Sequence, residues 1–287
     1  MNTVAGRIDA ATGRPFTYTQ LQQELGDPTL KLRFHYLNLF LQDEIRLRDN
    51  LTLSAGVRYE LQNYPLLDAD APYPLSRAVT DDTNNIAPRL GLTWRPRGSE
   101  RTAVRAGYGL FYDTTSLGLI VNAAQINGRR ILSYVVPGSD ARAPQYPNLL
   151  ATADSAFTTP PSITVFPEDF ETMFAHQANV TVERQLTGHL LAAVGYSFWG
   201  HRDTPYARDI NLGPVVSTLA DGRPVYTGSA NRANPAFRAI NLVESRGRSS
   251  YHGLDVTLKQ RLAEGVQLVA ATATRRPGAS ATWKAAR

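Results

Sequence analysis

The sequence predicts an all-β fold, an antiparallel transmembrane β-barrel segment of about eight strands belonging to a larger barrel. Three observations predict it. Apolar and polar residues alternate with period two over segments of roughly 9–11 residues, the length a tilted strand needs to cross a bilayer. The segments come in pairs joined by turns of a few residues. Long polar loops separate the pairs, so that short and long connections alternate, as they do between the two rims of a membrane barrel.

The clearest strand is residues 51–61. Leu51, Leu53, Ala55, Val57, Tyr59 and Leu61 occupy one face, and Thr52, Ser54, Gly56, Arg58 and Glu60 the other. The strand before it runs from about Phe34 to Leu47, with Leu37, Leu39, Leu41, Ile45 and Leu47 on one face and Asp43 interrupting that face. Arg48-Asp49-Asn50 is the turn between them. A loop rich in Pro, Asp and Asn fills residues 62–85. The third strand, Ile86 to Arg95, puts Ile86, Pro88, Leu90, Leu92 and Trp94 on one side and Arg89 on the other. Pro88 stands near its start, where a missing ladder donor is tolerated. After the turn Pro96 to Glu100, the fourth strand runs from Thr102 to Tyr112, with Val104, Ala106, Tyr108, Leu110 and Tyr112 opposite Arg105, Gly107 and Gly109.

Residues 113–170 form a very long connection, a length rare inside a compact soluble domain. Strand five spans about Met173 to Leu186 and strand six about Leu190 to Trp199, across the turn Thr187-Gly188-His189. Residues 200–247 are another long polar loop. Strand seven runs from Tyr251 to Leu262, Ala263-Glu264-Gly265 turns the chain, and Val266 begins strand eight. The pattern stops near Thr274, where Arg275-Arg276-Pro277-Gly278 follows. The expected division is therefore a loop or upstream remnant at 1–32, the barrel segment at 33–274 and an irregular tail at 275–287, a candidate out-of-frame end. The first ten residues lack the basic and apolar regions of a signal peptide. An open sheet of eight strands leaves two unsatisfied edges, which a bilayer does not tolerate, so the chain as written is expected to be either insoluble without detergent or incomplete.

Composition narrows the function. The 287 residues include no cysteine, which removes disulfide frameworks, thiolate metal sites and cysteine nucleophiles. The net charge of +5 is dispersed, so nucleic acid is not an expected partner, and a basic balance suits anionic lipid headgroups. His35, His176, His189, His201 and His252 are scattered without metal-ligand spacing and read as ordinary surface or lumen residues. His201-Arg202-Asp203 copies three letters of a kinase loop without its companion elements. No catalytic, cofactor or metal site is assigned. Arg58, Glu60, Arg89, Arg105 and Glu183 project to the polar face as candidate lumen residues. Tyr36, Tyr59, Tyr108, Tyr112, Tyr196 and Trp199, toward the long loops, and Trp94, toward the short turns, are candidates for interfacial aromatic girdles.

The segments also resemble a known family. Phe40-Leu41-Gln42-Asp43-Glu44 followed by Leu51 to Glu60, Asn84 to Trp94 (NNIAPRLGLTW), Thr102 to Asp113 (TAVRAGYGLFYD), and Ser250 to Val256 with Lys259-Gln260-Arg261 resemble strands of TonB-dependent receptor barrels, most closely the Oar-like group. The resemblance covers roughly residues 33–274. It implies a barrel of about 22 strands closed by a plug and energised through TonB. The expected partners are then outer-membrane lipid, the remainder of the barrel and its plug, and the TonB complex if a plug region lies upstream. The expected function is uptake of a scarce solute such as an iron complex, glycan or peptide. Two other readings stand beside it: a structural or adhesive outer-membrane barrel without transport, and a small closed eight-stranded barrel.

Overall fold

A computed structural model describes residues 7–8, 15–16, 18–96, 100–144, 148–228, 231–261 and 267–280. In chain order the strands begin with β1 (Arg7–Ile8), β2 (Pro15–Phe16) and β3 (Gln20–Gly26). The first long pairs are β4 (His35–Arg48) with β5 (Leu51–Asn63), and β6 (Ile86–Trp94) with β7 (Thr102–Tyr112). Helix α1 (Leu117–Gln125) and the short strands β8 (Ile131–Pro137), β9 (Thr158–Thr159) and β10 (Ser162–Val165) follow. Then come β11 (Phe174–Gln185), β12 (Leu190–Asp209), the hairpin of β13 (Val215–Thr218) and β14 (Pro224–Tyr226), β15 (Ala239–Arg261) and β16 (Gln267–Ser280).

Eight of these strands make one antiparallel wall in the order β4, β5, β6, β7, β11, β12, β15, β16. Short turns join them at one rim and long segments at the other. Through the middle of the wall, from β5 to β15, the register carries one face across. Leu53 lies opposite Leu92, Leu92 opposite Ala106, Ala106 opposite Val180, Val180 opposite Tyr196 and Tyr196 opposite Leu254. Because strand side chains alternate, that single chain of pairings places every apolar position of the alternation on one surface. The surface is not a core: Val57 is 43% exposed, and Leu53, Leu92 and Val104 are only half-buried. A contiguous exposed apolar band of this extent requires a non-aqueous partner. Asp43 stays on that surface opposite Ala55, on edge strand β4, where its carboxylate accepts a hydrogen bond from the Glu44 amide at 2.8 Å.

The dry core lies elsewhere, in the long connections. Leu67, Val79, Ile120, Ala123, Ala124, Phe166, Phe170 and Val243 pack together. Beside them, Ile163, Val165, Phe237, Ile240 and Leu242 form a second cluster where β10 pairs in parallel with the first residues of β15. The connections at 62–85, 113–170 and 200–247, read from sequence as loops, therefore fold into a cap on the long-loop rim. β12 and β15 build part of it by running past the wall, with Tyr206 opposite Glu244 and Arg208 opposite Leu242. A register shift between His201 and Thr204 marks the departure, and Asp203 sits there at φ 55°. That left-handed backbone is one that Asp adopts more readily than most residues, and such bulges redirect a strand.

Two further expectations are corrected. Residues 20–26 are a strand rather than loop: β3 pairs with β8 from Gln20↔Pro137 to Gly26↔Ile131, around a small core of Tyr18, Leu21, Tyr134, Val136 and Phe157. The last strand does not stop at Thr274. β16 continues against β15 to Ser280, with Pro277 opposite Tyr251. Pro is compatible with an edge strand, where a missing N–H breaks no inner ladder. Residues 281–287 of the expected tail lie outside the described residues. The closed eight-stranded reading also changes: among the described residues, β4 and β16 end the strand order and do not pair with each other.

Candidate functional site

The second face of the wall gathers the charges. Arg58 and Glu60 stand two residues apart on β5, with Arg58 Nε 2.6 Å from Glu60 Oε1 and Arg58 Nη2 donating to Asn38 Oδ1 at 2.9 Å. Arg105 on β7 reaches Glu183 on β11 at 2.5 Å. The Arg89 guanidinium lies 4.5 Å from the centre of the Phe111 ring. All five sequence-predicted residues thus share the face opposite the apolar band. Half-exposed pairs of this kind contribute about 0–1 kcal/mol each, so they do not hold the wall together. They leave a surface of paired charges and amides over which a polar solute loses little hydration.

Small residues shape this face. A Cβ on Gly107 would stand 2.5 Å from Asn179 Oδ1. The bare position leaves room for the Asn179 amide.

At the long-loop end of the face is a cavity of 170 Å³ lined by residues including Tyr36, Asn38, Arg58, Glu60, Asn85 and Thr114. Gln62 closes one side: its Oε1 accepts from the Thr115 amide at 3.2 Å and its Nε2 donates to Tyr36 Oη at 3.4 Å. Sequence reading missed Gln62 and Asn85. Both lie where the strand alternation gives way to loop, so only the fold brings them beside the charged pair.

The aromatic candidates divide. Tyr59, Trp94, Tyr108 and Tyr196 lie on the apolar face, Tyr59 opposite Leu39 and Trp94 opposite Val104. Tyr112 stands at the end of β7 and packs on Phe174 with ring centres 5.5 Å apart. Tyr36 and Trp199 are on the polar face instead. Tyr36 pairs with Gln62, and Trp199 with Gln177 and Tyr251. Each is one residue away from an outward position held by Leu37 or Phe198, and one step along a strand reverses the face. Two histidines join the outward band: Tyr108 Oη is 2.9 Å from His176 Nδ1, and Tyr196 Oη is 2.8 Å from His252 Nδ1. Both pairs lie toward the long-loop end of that face.

Above the wall, the cap carries carboxylates close together. Glu171 is pushed above the usual carboxylate range by burial first and then by Asp203, Asp82 and Asp169. A raised carboxyl binds its proton more tightly folded than unfolded. Its stabilising effect is complete below the ordinary carboxylate pKa and fades as pH rises through the raised value. Glu244 behaves oppositely: hydrogen bonds from Arg208 hold it low, so that contribution is present at neutral pH and fades as pH falls. Replacing Glu171 by Gln is expected to raise cap stability at pH 7 by under about 1 kcal/mol, a small figure because the site meets water, and to leave it unchanged at pH 4. Thermal unfolding at the two pH values reads this; equal shifts at both would contradict it.

An antiparallel wall with one apolar exposed face, one charged face, short turns at one rim and a folded cap at the other is the architecture of an outer-membrane β-barrel protein. Residues 3–271 match the outer membrane beta-barrel domain family, and the chain belongs to that family. It is a protein of the bacterial outer membrane. No curated protein matches the sequence. Among solved structures, the chain is similar to the FrpB iron transporter of Neisseria meningitidis. The F5-1 variant has 13% identity and a TM-score of 0.52, covering 87% of this chain and 27% of the transporter. Its apoprotein form has 14% identity and a TM-score of 0.50, over 87% and 27% of the two chains. The siderophore receptor PirA of Pseudomonas aeruginosa has 13% identity and a TM-score of 0.47, over 86% and 35%. The likeness at these identities is one of fold. The chain spans 27–35% of the length of these structures.

Proposed function

We propose that this chain forms part of the barrel of a TonB-dependent outer-membrane receptor that takes up a scarce solute. The polar face is the lumen wall, and Arg58, Glu60, Arg89, Arg105 and Glu183 face the plug and the passing solute. The observation that carries the reading is the continuity between the charged face and the folded cap, with a polar cavity at their junction. An anchor needs no such cavity. The resemblance of the strand sequences to the Oar-like group supports the same reading, and it supplies the plug and the TonB complex as partners. The aromatic and histidine band of the outer face suits contact with lipid headgroups.

The adhesive reading draws on a different feature. The β13–β14 hairpin stands out from the cap with Val215, Val216 and Leu219 about half exposed or more. An uptake assay separates the two. Cells with and without the gene are supplied with limiting ferric siderophore, oligosaccharide or peptide, with and without a protonophore. Loss of protonophore-sensitive accumulation of one solute on deletion is the expected result. Unchanged accumulation of all three with lost surface attachment would establish the adhesin instead.

A further inference from the structure

One row of the charged face crosses the wall in a straight line. Arg89 on β6 lies opposite Gly109 on β7, Gly109 opposite Gln177 on β11, Gln177 opposite Trp199 on β12, and Trp199 opposite Tyr251 on β15. Phe111, two residues beyond Gly109 and so on the same face, fills the space at that glycine: a Cβ on Gly109 would stand 2.9 Å from Phe111 Cε2. Tyr251 does the same at Gly253, its Oη 2.9 Å from where a Cβ would be. Both rings thus occupy space that a side chain at the glycine would take. The Arg89 guanidinium sits over the Phe111 ring, and the Trp199 and Tyr251 ring centres are 5.8 Å apart. The result is a shelf of guanidinium, ring, amide, indole and phenol across five neighbouring strands. At the usual strand spacing it is about 19 Å long.

Two features of the shelf select its ligand. Its rings are apolar surface on the side of the wall that carries the charges, with Trp199 45% exposed. Its surroundings are balanced in charge: Arg58 is paired with Glu60 and Arg105 with Glu183, and the amides of Gln177 and Asn179 lie between. An anionic metal complex gains from unpaired cations, and the paired charges offer it little beyond Arg89. An extended peptide seeks an open strand edge, and each of these five strands has a neighbour on both sides. A neutral carbohydrate suits both features. The C–H faces of a pyranose ring are apolar and pack on aromatic rings, while its hydroxyls accept hydrogen bonds from amides and guanidinium. The length of the shelf holds several sugar rings in a row.

We propose that the row from Arg89 to Tyr251 is a binding track for a neutral oligosaccharide. Trp199 and Tyr251 stack against one sugar ring, and Arg89, Gln177 and Asn179 hydrogen-bond the hydroxyls of its neighbours. The inference rests on the reading of the charged face as a lumen and names the class of solute for it, but its test does not depend on uptake.

The test is calorimetric titration of the whole protein, purified in detergent from the outer membranes of the cells that make it. The probes are maltohexaose, cellohexaose and chitohexaose, with a ferric catecholate siderophore beside them. Saturable binding of at least one hexasaccharide is expected. Trp199→Ala is expected to weaken it roughly tenfold through the lost stacking, and Trp199→Phe by under about threefold. The titration of the unmodified protein needs no variant, so a Trp199→Ala protein that fails to fold leaves the test intact. No binding of any hexasaccharide overturns the proposal, as does equal affinity in the unmodified protein and folded Trp199→Ala. Siderophore binding that Trp199→Ala weakens, with no hexasaccharide bound, would assign the shelf to the anionic complex instead. Hexasaccharide binding without protonophore-sensitive uptake would overturn the transport reading and leave the track standing. Protonophore-sensitive uptake of siderophore or peptide that Trp199→Ala leaves unchanged, with no hexasaccharide bound, would do the reverse.

Discussion

Val180→Arg is expected to be the most damaging single substitution in the wall. Val180 lies near the middle of β11, between Ala106 and Tyr196 on the apolar face. An arginine at the bilayer midplane of a barrel costs about 2–4 kcal/mol, because its guanidinium must leave water or drag water in. Ser197→Arg is the matched control. Ser197 follows Tyr196 in sequence and lies on the opposite, charged face, across from Asn179. There the same charge meets water and amides, and the expected cost is under about 1 kcal/mol. Urea unfolding in lipid vesicles, followed by the mobility difference between folded and unfolded barrel, measures both. Equal losses would mean that the two faces meet the same medium, and the membrane assignment of the apolar face would fail.

The parity that underlies this contrast is also what made the wall legible from sequence. Residues 51–61 alternate because each neighbouring residue meets a different solvent, and the register then carries that alternation across eight strands. The same parity governs the aromatic candidates. Tyr36 and Trp199 suit a girdle by their position along the strand, while their face follows from the residue next door. The upper halves of β12 and β15 escaped notice because hydrocarbon no longer wets one side there, and residues 200–209 carry no apolar alternation to read. β3 was invisible for another reason. It pairs with β8, more than a hundred residues away, and no local pattern announces a partner at that distance. The cavity was unreadable on the same ground, since Asn38, Arg58, Asn85 and Thr114 come together only after the cap is in place.

The cap should therefore fail separately from the wall, and Phe166→Ala tests that division. Phe166 is 1% exposed and packs edge-on against Phe170 with ring centres 5.0 Å apart. Its cluster draws on three separate connections, through Leu67 and Val79, through Ile120, Ala123 and Ala124, and through Val243. Removing the ring leaves a void that rigid neighbours fill poorly, at a cost of about 3–5 kcal/mol. The wall shares none of that cluster apart from the upper end of β15, so its ladder hydrogen bonds are expected to survive. Hydrogen exchange on the variant in detergent should show faster exchange in α1 and residues 64–80, with β5, β7 and β11 unchanged. If protection falls evenly across cap and wall, the two are one cooperative unit. In that case the bulge at Asp203 is a bend within a single structure rather than a border between a membrane-bound wall and an independently packed cap.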